Sequence, residues 1–262
     1  MADFIDVCDR AVRAGGAVLL EKLGLVEIQV KGPADLVTEA DFAAQETIRR
    51  LVLDAFPDHD FLGEECCAVG GKSAVRSSPY RWILDPLDGT TNFVHQVPHF
   101  SVSLALERED ELLVGAVYNP VTEECFSAVA GQGARLNGRP IHTSRVASLA
   151  DALCAVGLPA RVQRGCRDMR LFVETMDKCQ GLRRTGSNAL NMSYVAAGRF
   201  DAAWSFSTKV WDIAAGTLII REAGGVVTAP DGQPLRLESG QFLAAANGQL
   251  LAELLVLAST CG

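Results

Sequence analysis

Apolar residues recur at helical spacing from about Phe4 to Leu23 and predict an amphipathic first helix. Leu25 to Val37 reads as a hairpin turning at Lys31-Gly32-Pro33. A second helix is expected over Thr38 to Phe56. Thr38-x-x-Asp41 fits a capping box, and Ile48, Leu51, Val52, Ala55 and Phe56 share one face. From Tyr80 to Val129 the pattern turns to short apolar stretches between turn residues: Trp82–Leu84, Val102–Leu106, Leu112–Val117 and Cys125–Val129. That rhythm suits a largely antiparallel sheet. The second half alternates instead. Strand-like Ala152–Val156, Leu182–Arg184, Asp201–Trp204 and Gly225–Thr228 are separated by helical Arg167–Lys178, Asn188–Ala197 and Ile213–Ala223, with Gly198 and Gly224 as stops.

The change of style near His142–Leu149 predicts two subdomains of a single structural unit, 1–145 and 146–262. The fold class expected is α+β: two sheets, the first largely antiparallel and the second mixed, with helical layers between and outside them. Composition narrows the classes further. With 48% apolar and 21% charged residues, wholesale disorder is excluded. A net charge of −8 argues against a nucleic-acid or anionic-lipid partner. No apolar run approaches the roughly 18 residues of a membrane span, and Leu250–Ala258 is interrupted by Glu253. The acidic start, MADFIDVCDR, lacks the basic flank of a secretory signal, so a cytoplasmic location and reduced thiols are expected for the eight cysteines.

The densest chemistry is Trp82-Ile83-Leu84-Asp85-Pro86-Leu87-Asp88-Gly89-Thr90-Thr91-Asn92. Asp-Pro and Asp-Gly are common loop dipeptides, so a plain turn is one reading. The other is that Asp85 and Asp88 converge on a hard divalent cation while the Gly89-Thr90-Thr91 amides open a helix and cradle an anion. Further acids are available at Gly63-Glu64-Glu65, past a short strand at Asp60–Leu62, and at Asp212, which starts an apolar helix. Asp41 adds another. Each has a bland alternative: a solvated loop for the glutamates, capping for the two aspartates. Gly70-Gly71-Lys72-Ser73 ends like a phosphate-binding loop but lacks the earlier glycine, since Cys66 stands there. His95 and His99 have a zinc-like spacing broken by Pro98. Gly131-Gln132-Gly133 and Asn137-Gly138 read as hairpin turns.

Taken together, DLVTEAD (35–41), GEE (63–65), WILDPLDGTTNFVH (82–95) and WDIAAG (211–216) closely resemble the inositol monophosphatase family. YNPVTEECFSAVAGQGARLNGRPI (118–141) and RRTGSNALNMSYVAAGRFD (183–201) extend the resemblance over nearly the whole chain. It implies a layered αβαβα sandwich and a lithium-sensitive phosphomonoesterase using two to three Mg²⁺ ions. Glu64, Asp85 and the Leu87 carbonyl would hold a first ion; Asp85, Asp88 and Asp212 a second; Glu64 and waters a weaker third. Glu65 would support the cluster, and Thr90 with Asp41 would orient and deprotonate a metal-activated water for direct attack. The Gly89, Thr90 and Thr91 amides would bind phosphate, and Lys31 falls where the family has a lysine near the metals. Six acids in one cleft repel each other unless cations neutralise them.

The substrate the resemblance puts first is a small polyol phosphate, myo-inositol 1-phosphate. Fructose 1,6-bisphosphate, histidinol phosphate, 3′-phosphoadenosine 5′-phosphate and NADP are alternatives, because the substrate positions depart from the family pattern. Ser205 stands seven residues before Asp212, where many members carry a glutamate, and Asn188 stands where a small alanine is usual in the Gly186-Ser187-Asn188 segment. A non-catalytic regulatory protein on the same fold, or a zinc hydrolase using His95, His99 and Cys66, are the readings from other classes. A homodimer is expected from the family.

Overall fold

The computed structural model describes residues 4–25, 28–32, 35–65, 76–159 and 161–261, without the side chains of 28–32 and 35–37. The chain opens with helix α1 (Phe4–Lys22), the hairpin strands β1 (Ile28–Gly32) and β2 (Asp35–Thr38), and helix α2 (Glu39–Ala55). A seven-stranded sheet follows, from β3 (Asp60–Gly63), β4 (Tyr80–Asp88), β5 (Ser101–Arg108), β6 (Glu111–Asn119), β7 (Glu124–Val129), β8 (Ala134–Leu136) and β9 (Arg139–Ile141), in that spatial order. Only β3 and β4 run parallel; each later pair is antiparallel. The short helix α3 (Thr90–Val94) sits between β4 and β5.

The second half adds β10 (Leu153–Gly157), α4 (Arg167–Lys178), β11 (Gly181–Arg183), α5 (Asn188–Ala196), β12 (Ala202–Ser205), α6 (Val210–Glu222), β13 (Val226–Thr228), β14 (Phe242–Ala245) and α7 (Gly248–Thr260). Its sheet has the order β11-β10-β12-β14-β13. Strands β11, β10 and β12 are parallel, and β14 is antiparallel to both neighbours.

Strand alternation assigns the layers. Val102, Leu104 and Leu106 of β5 face α1 and α2, whereas Ala105 faces α5 and α6. Ala155, Ala203 and Ala244 of the second sheet point back to the same helix pair, and Cys154, Trp204 and Leu243 face α4 and α7. The result is five layers, αβαβα, as the sequence implied. The central helices are covered on both sides, which is why α6 is apolar nearly all round: every residue from Ile213 to Ile220 is buried. The small residues Ala214, Ala215 and Gly216 let α6 approach closely. A side chain at Gly115 of β6 would come within 3.0 Å of the Ala215 Cα, and one at Gly216 within 2.7 Å of Met192.

Several boundaries differ from the sequence reading for physical reasons. The central helix α6 starts at Val210, a turn before Ile213, so Asp212 lies inside its first turn. Strand β14 is a continuous apolar run because both of its faces are buried, whereas α7 buries one face through Leu250, Leu251, Leu254, Leu257 and Ala258 and leaves the apolar Val256 exposed on the other. Glu253, the charge inside α7, accepts the Leu149 N–H at 2.8 Å. Asn137 and Gly138, both at positive φ, form the turn between β8 and β9. Among the described residues no helix is long and apolar enough to cross a membrane.

Because the atoms facing Gly115 are α6 backbone, they cannot turn aside as a side chain does. Gly115→Ala is expected to lower the unfolding free energy in urea by about 1–3 kcal/mol; an unchanged midpoint would contradict the close helix–sheet contact.

Candidate active site

Strand β4 enters the site carrying two acids three positions apart, which in a regular strand would face opposite sides of the sheet. A bulge corrects this. Asp85 pairs with Ser103 and Asp88 with Ser101, so β4 spends one residue more than β5 across the interval. Pro86, which cannot donate to a ladder, occupies the irregular stretch. Leu84 and Leu87 face the outer helices, and Asp85 and Asp88 turn together to the inner side. The Leu87 N–H donates to Asp85 Oδ1 at 3.0 Å and shapes the turn.

Other elements bring their acids to the same place. Parallel β3 pairs Gly63 with Leu84, so Glu64 follows directly beside Asp85. Asp212 enters from the first turn of α6 and accepts the Lys209 N–H at 2.8 Å. Ser103 ties that helix start to the sheet by donating to the Trp211 carbonyl at 3.3 Å. Burial first, and then repulsion from Glu64, Asp88 and Asp212, raises the Asp85 carboxyl well above the ordinary range. Burial raises Asp212 to about 7, helped by Asp88 and opposed by the Lys209 N–H. Asp88 rises to about 6 through burial, although Ser187, Ala189 and Asn188 donate to it.

These groups are neighbours but not a closed cage: among the described residues no three His, Cys, Asp or Glu side chains already converge on one metal-like centre. Buried like charges relax apart unless a cation holds them. The available donors are four carboxylates and the Leu87 carbonyl, all hard oxygens, and this set fits magnesium better than zinc.

Asp88 also forms the floor of a cleft of about 560 Å³, bounded by residues 88–92 on one wall and 156–158 and 184–188 on the other. Its Oδ2 accepts the Ser187 hydroxyl and the Ala189 N–H (2.7 Å), and its Oδ1 the Asn188 N–H (3.3 Å), so it sits on the positive end of α5. Gly89 has φ 98° and turns the chain into α3 with Thr90 and Thr91 on the cleft wall. A side chain there would crowd the His99 carbonyl at 3.1 Å.

The remaining expected residues divide. Asp41 is buried and completes the capping box, its Oδ2 accepting the Thr38 N–H (2.8 Å) and hydroxyl (2.7 Å). The Thr90 hydroxyl donates to the Leu87 carbonyl at 3.2 Å. Glu65 is buried, with its N–H donating to Gln45 Oε1 at 3.0 Å. Gly186, Ser187 and Asn188 line the cleft, but Ser205 does not. It is buried at the end of β12, and its hydroxyl accepts the Ser207 N–H at 3.3 Å. The Lys31 side chain, Cys66 and the segment 70–73 lie outside the described residues. His95 is an exposed end of α3, whereas His99 packs edge-on against Tyr194 with ring centroids 5.8 Å apart.

Three residues had no assigned role in the sequence reading. Gln45, one turn after Asp41 on α2, reaches the strand end at Gly63 so closely that a Cβ there would meet its Oε1 at 2.2 Å. Asn92 donates to two carbonyls, those of His99 (2.6 Å) and Thr185 (2.9 Å), bridging the two cleft walls. Arg184 lines the cleft. Asn92 stands inside the quoted 82–95 motif, so its position was visible; its partner 93 residues away was not.

A cluster of buried carboxylates beside a cleft, between the sheets of an αβαβα sandwich, is an arrangement suited to metal-assisted phosphoester hydrolysis. Comparison with known proteins agrees: the inositol monophosphatase family model matches residues 2–261, and the chain belongs to that family. It is 41% identical over 244 residues to the inositol-1-monophosphatase of Rhizobium meliloti, covering 91% of this chain and 90% of that one. It is 39% identical over 250 residues to the Nus factor SuhB of Pseudomonas aeruginosa, covering 93% and 92%. The crystal structure of the extragenic suppressor protein SuhB from Bartonella henselae matches with a TM-score of 0.90 and 36% identity over 97% of each chain. The protein is a phosphomonoesterase.

Since Asn92 holds one cleft wall against the other, Asn92→Ala is expected to reduce kcat/KM for phosphomonoester hydrolysis by about 10²-fold through misplacement. Full activity in steady-state assays would show that the bridge is idle.

Proposed function

We propose that the protein hydrolyses a small polyol or sugar phosphate with magnesium, by direct attack of water. The reading rests on the juxtaposition of Glu64, Asp85, Asp88 and Asp212 beside a cleft walled by Gly89, Thr90 and Thr91. Magnesium, when bound, would neutralise these acids, polarise the phosphoryl oxygens and lower the pKa of a bound water. Glu64, Asp85 and the Leu87 carbonyl would hold one ion, and Asp85, Asp88 and Asp212 another, with Glu65 supporting them. The Gly89, Thr90 and Thr91 amides would hold phosphate oxygens. The Thr90 hydroxyl would turn from Leu87 towards water and, with Asp41, take its proton as the P–O bond to the alcohol breaks. Gly186, Ser187 and Asn188 would meet the leaving alcohol, whose oxygen would take a proton from solvent in the cleft as it departs.

The name of the Rhizobium meliloti relative makes myo-inositol 1-phosphate the first substrate to test. Phosphate release from a panel of sugar and nucleotide phosphates with Mg²⁺ ranks it against fructose 1,6-bisphosphate, histidinol phosphate, 3′-phosphoadenosine 5′-phosphate and NADP. The name of the Pseudomonas aeruginosa relative supports a second, non-catalytic role with a macromolecular partner. A hydrolytically inactive Asp88→Asn protein that still performs such a role in cells would separate the two.

Asp85→Asn and Asp88→Asn are each expected to lower kcat by at least about 10²-fold with the fold intact by circular dichroism. Wild-type turnover in Asp88→Asn would overturn the site. Direct attack requires inversion at phosphorus from a chiral phosphate; retention would indicate a covalent intermediate.

The raised carboxyls also predict a pH dependence. In the metal-free fold Asp88 and Asp212 keep protons up to about 6 and about 7, whereas the unfolded chain loses them near 4. Between those values the folded state binds more protons, so these groups' contribution to metal-free stability falls as pH rises. Magnesium takes the places the protons leave, and the rise in Tm on adding Mg²⁺ should be larger at pH 8 than at pH 5. An equal shift at both pH values would contradict this.

A further inference from the structure

Glu64 and Glu65 arrive at the acid cluster from the end of a short edge strand. Gly63 is the last residue of β3 paired with β4, and the two glutamates that follow are already helical. The first N–H groups of a helix have no carbonyl of their own helix to bind. Glu65 is buried, so water does not take its N–H. That group donates instead to Gln45 Oε1 at 3.0 Å, on a side chain 20 residues earlier. Gln45 is itself buried, one turn after Asp41 on α2. An amide of one element thus caps the start of another, at the point where β3 delivers its acids.

The chain is shaped to admit this contact. A Cβ on Gly63 would lie 2.2 Å from Gln45 Oε1, 2.8 Å from its Cδ and 3.1 Å from Phe61 Cε1. Gly63 is not among the glycines at positive φ, so room for the amide, and not backbone freedom, accounts for glycine here. Any larger residue would push the amide off the Glu65 N–H. The residue type at 45 matters as well. A carboxylate could accept the same bond but would add charge beside a cluster in which Glu64, Asp88 and Asp212 already oppose ionisation of Asp85. An amide oxygen accepts the bond and adds none.

We infer that Gln45 is a positioning residue for the metal site: by fixing the start of the Glu64–Glu65 segment it sets how tightly the acids hold magnesium. This rests on the metal-assisted hydrolysis proposed above and deepens it. Gln45 acts through the Glu65 backbone, not on the substrate, so its effect belongs to the cation requirement and not to recognition of the ester.

The test uses the full chain and reads Mg²⁺ twice: by isothermal titration calorimetry without substrate, and by the Mg²⁺ concentration that half-saturates phosphate release from the best ester of the panel above. Gln45→Met keeps the length of the side chain and removes the acceptor. It should weaken Mg²⁺ about tenfold or more in both readouts, with KM for the ester at saturating Mg²⁺ within about twofold of wild type. Gln45→Glu restores an oxygen for the Glu65 N–H, and any charge it carries favours the cation, so Mg²⁺ affinity should return to within about threefold of wild type. Gly63→Ala, which displaces the amide, should weaken Mg²⁺ as Gln45→Met does. The double variant should be no weaker than either single one, because both changes break the same bond. A structural role alone would lower the metal-free Tm and leave Mg²⁺ affinity where it was. Wild-type Mg²⁺ affinity in Gln45→Met, folded by circular dichroism, overturns the inference and leaves the phosphatase reading standing. So does an equal loss in Gln45→Glu, or losses that add in the double variant. Should Gln45→Met fail to fold, Gly63→Ala against wild type decides in its place. A wild type that takes up no Mg²⁺ and releases no phosphate from any ester overturns both readings.

Discussion

Mutual repulsion among buried carboxylates is the constraint around which the rest of the molecule is arranged. Asp85, Asp88, Asp212 and Glu64 come from three different elements, and each of the three aspartates is pushed towards its neutral form. A fold gains nothing in stability from such a cluster by itself, because desolvation and like charge both oppose ionisation. The scaffold must impose it. It does so with features that hold locally and strongly: a sheet bulge, a parallel strand end, and a helix start anchored on the Trp211 carbonyl.

The apolar layers supply that rigidity. Helix α6 brings Asp212 to the cluster only because Gly115 and the small Ala215–Gly216 pair allow it to lie tightly between β6 and α5. Helix α2 presents Asp41 and Gln45 one turn apart, so a single buried face positions both the capping acid and the amide that receives the Glu65 N–H. Packing and chemistry are therefore written in the same residues. A larger side chain in the WDIAAG segment would displace a carboxylate as well as disturb a core.

Much of this was legible in the sequence, though unevenly. Helices α1, α2 and α4 were readable because each has one solvent face, and their ends carry caps or abrupt polar changes. Strand β14 was not, since burial on both faces erases its alternation, and α7 was not because apolar Leu255 and Val256 also stand outside its buried stripe. The acids were legible as a set through their motifs. Their convergence was legible only as one of two readings and through the family resemblance, because residues three apart share a strand face only if a bulge intervenes, and nothing in Asp85-Pro86-Leu87-Asp88 by itself distinguishes a bulge from a turn. Ser205 shows the limit of reading position alone. Its place in the chain suggested a substrate contact, yet the hydroxyl is turned to its own backbone at the end of β12.

Asp88 joins the two halves of the site. It belongs to the acid cluster through its repulsion with Asp85 and Asp212, and to the cleft through its bonds from Ser187, Asn188 and Ala189. The N-terminus of α5 stabilises its charge while burial opposes it, and two of the residues that supply those donors, Ser187 and Asn188, line the cleft wall. The acid cluster is therefore bonded directly to the segment that follows Gly186. Asn92, bonded to the Thr185 carbonyl, fastens the same segment to the opposite wall. One carboxylate and one amide thus tie the acid cluster to both walls of the cleft, with no need for a longer path through the fold.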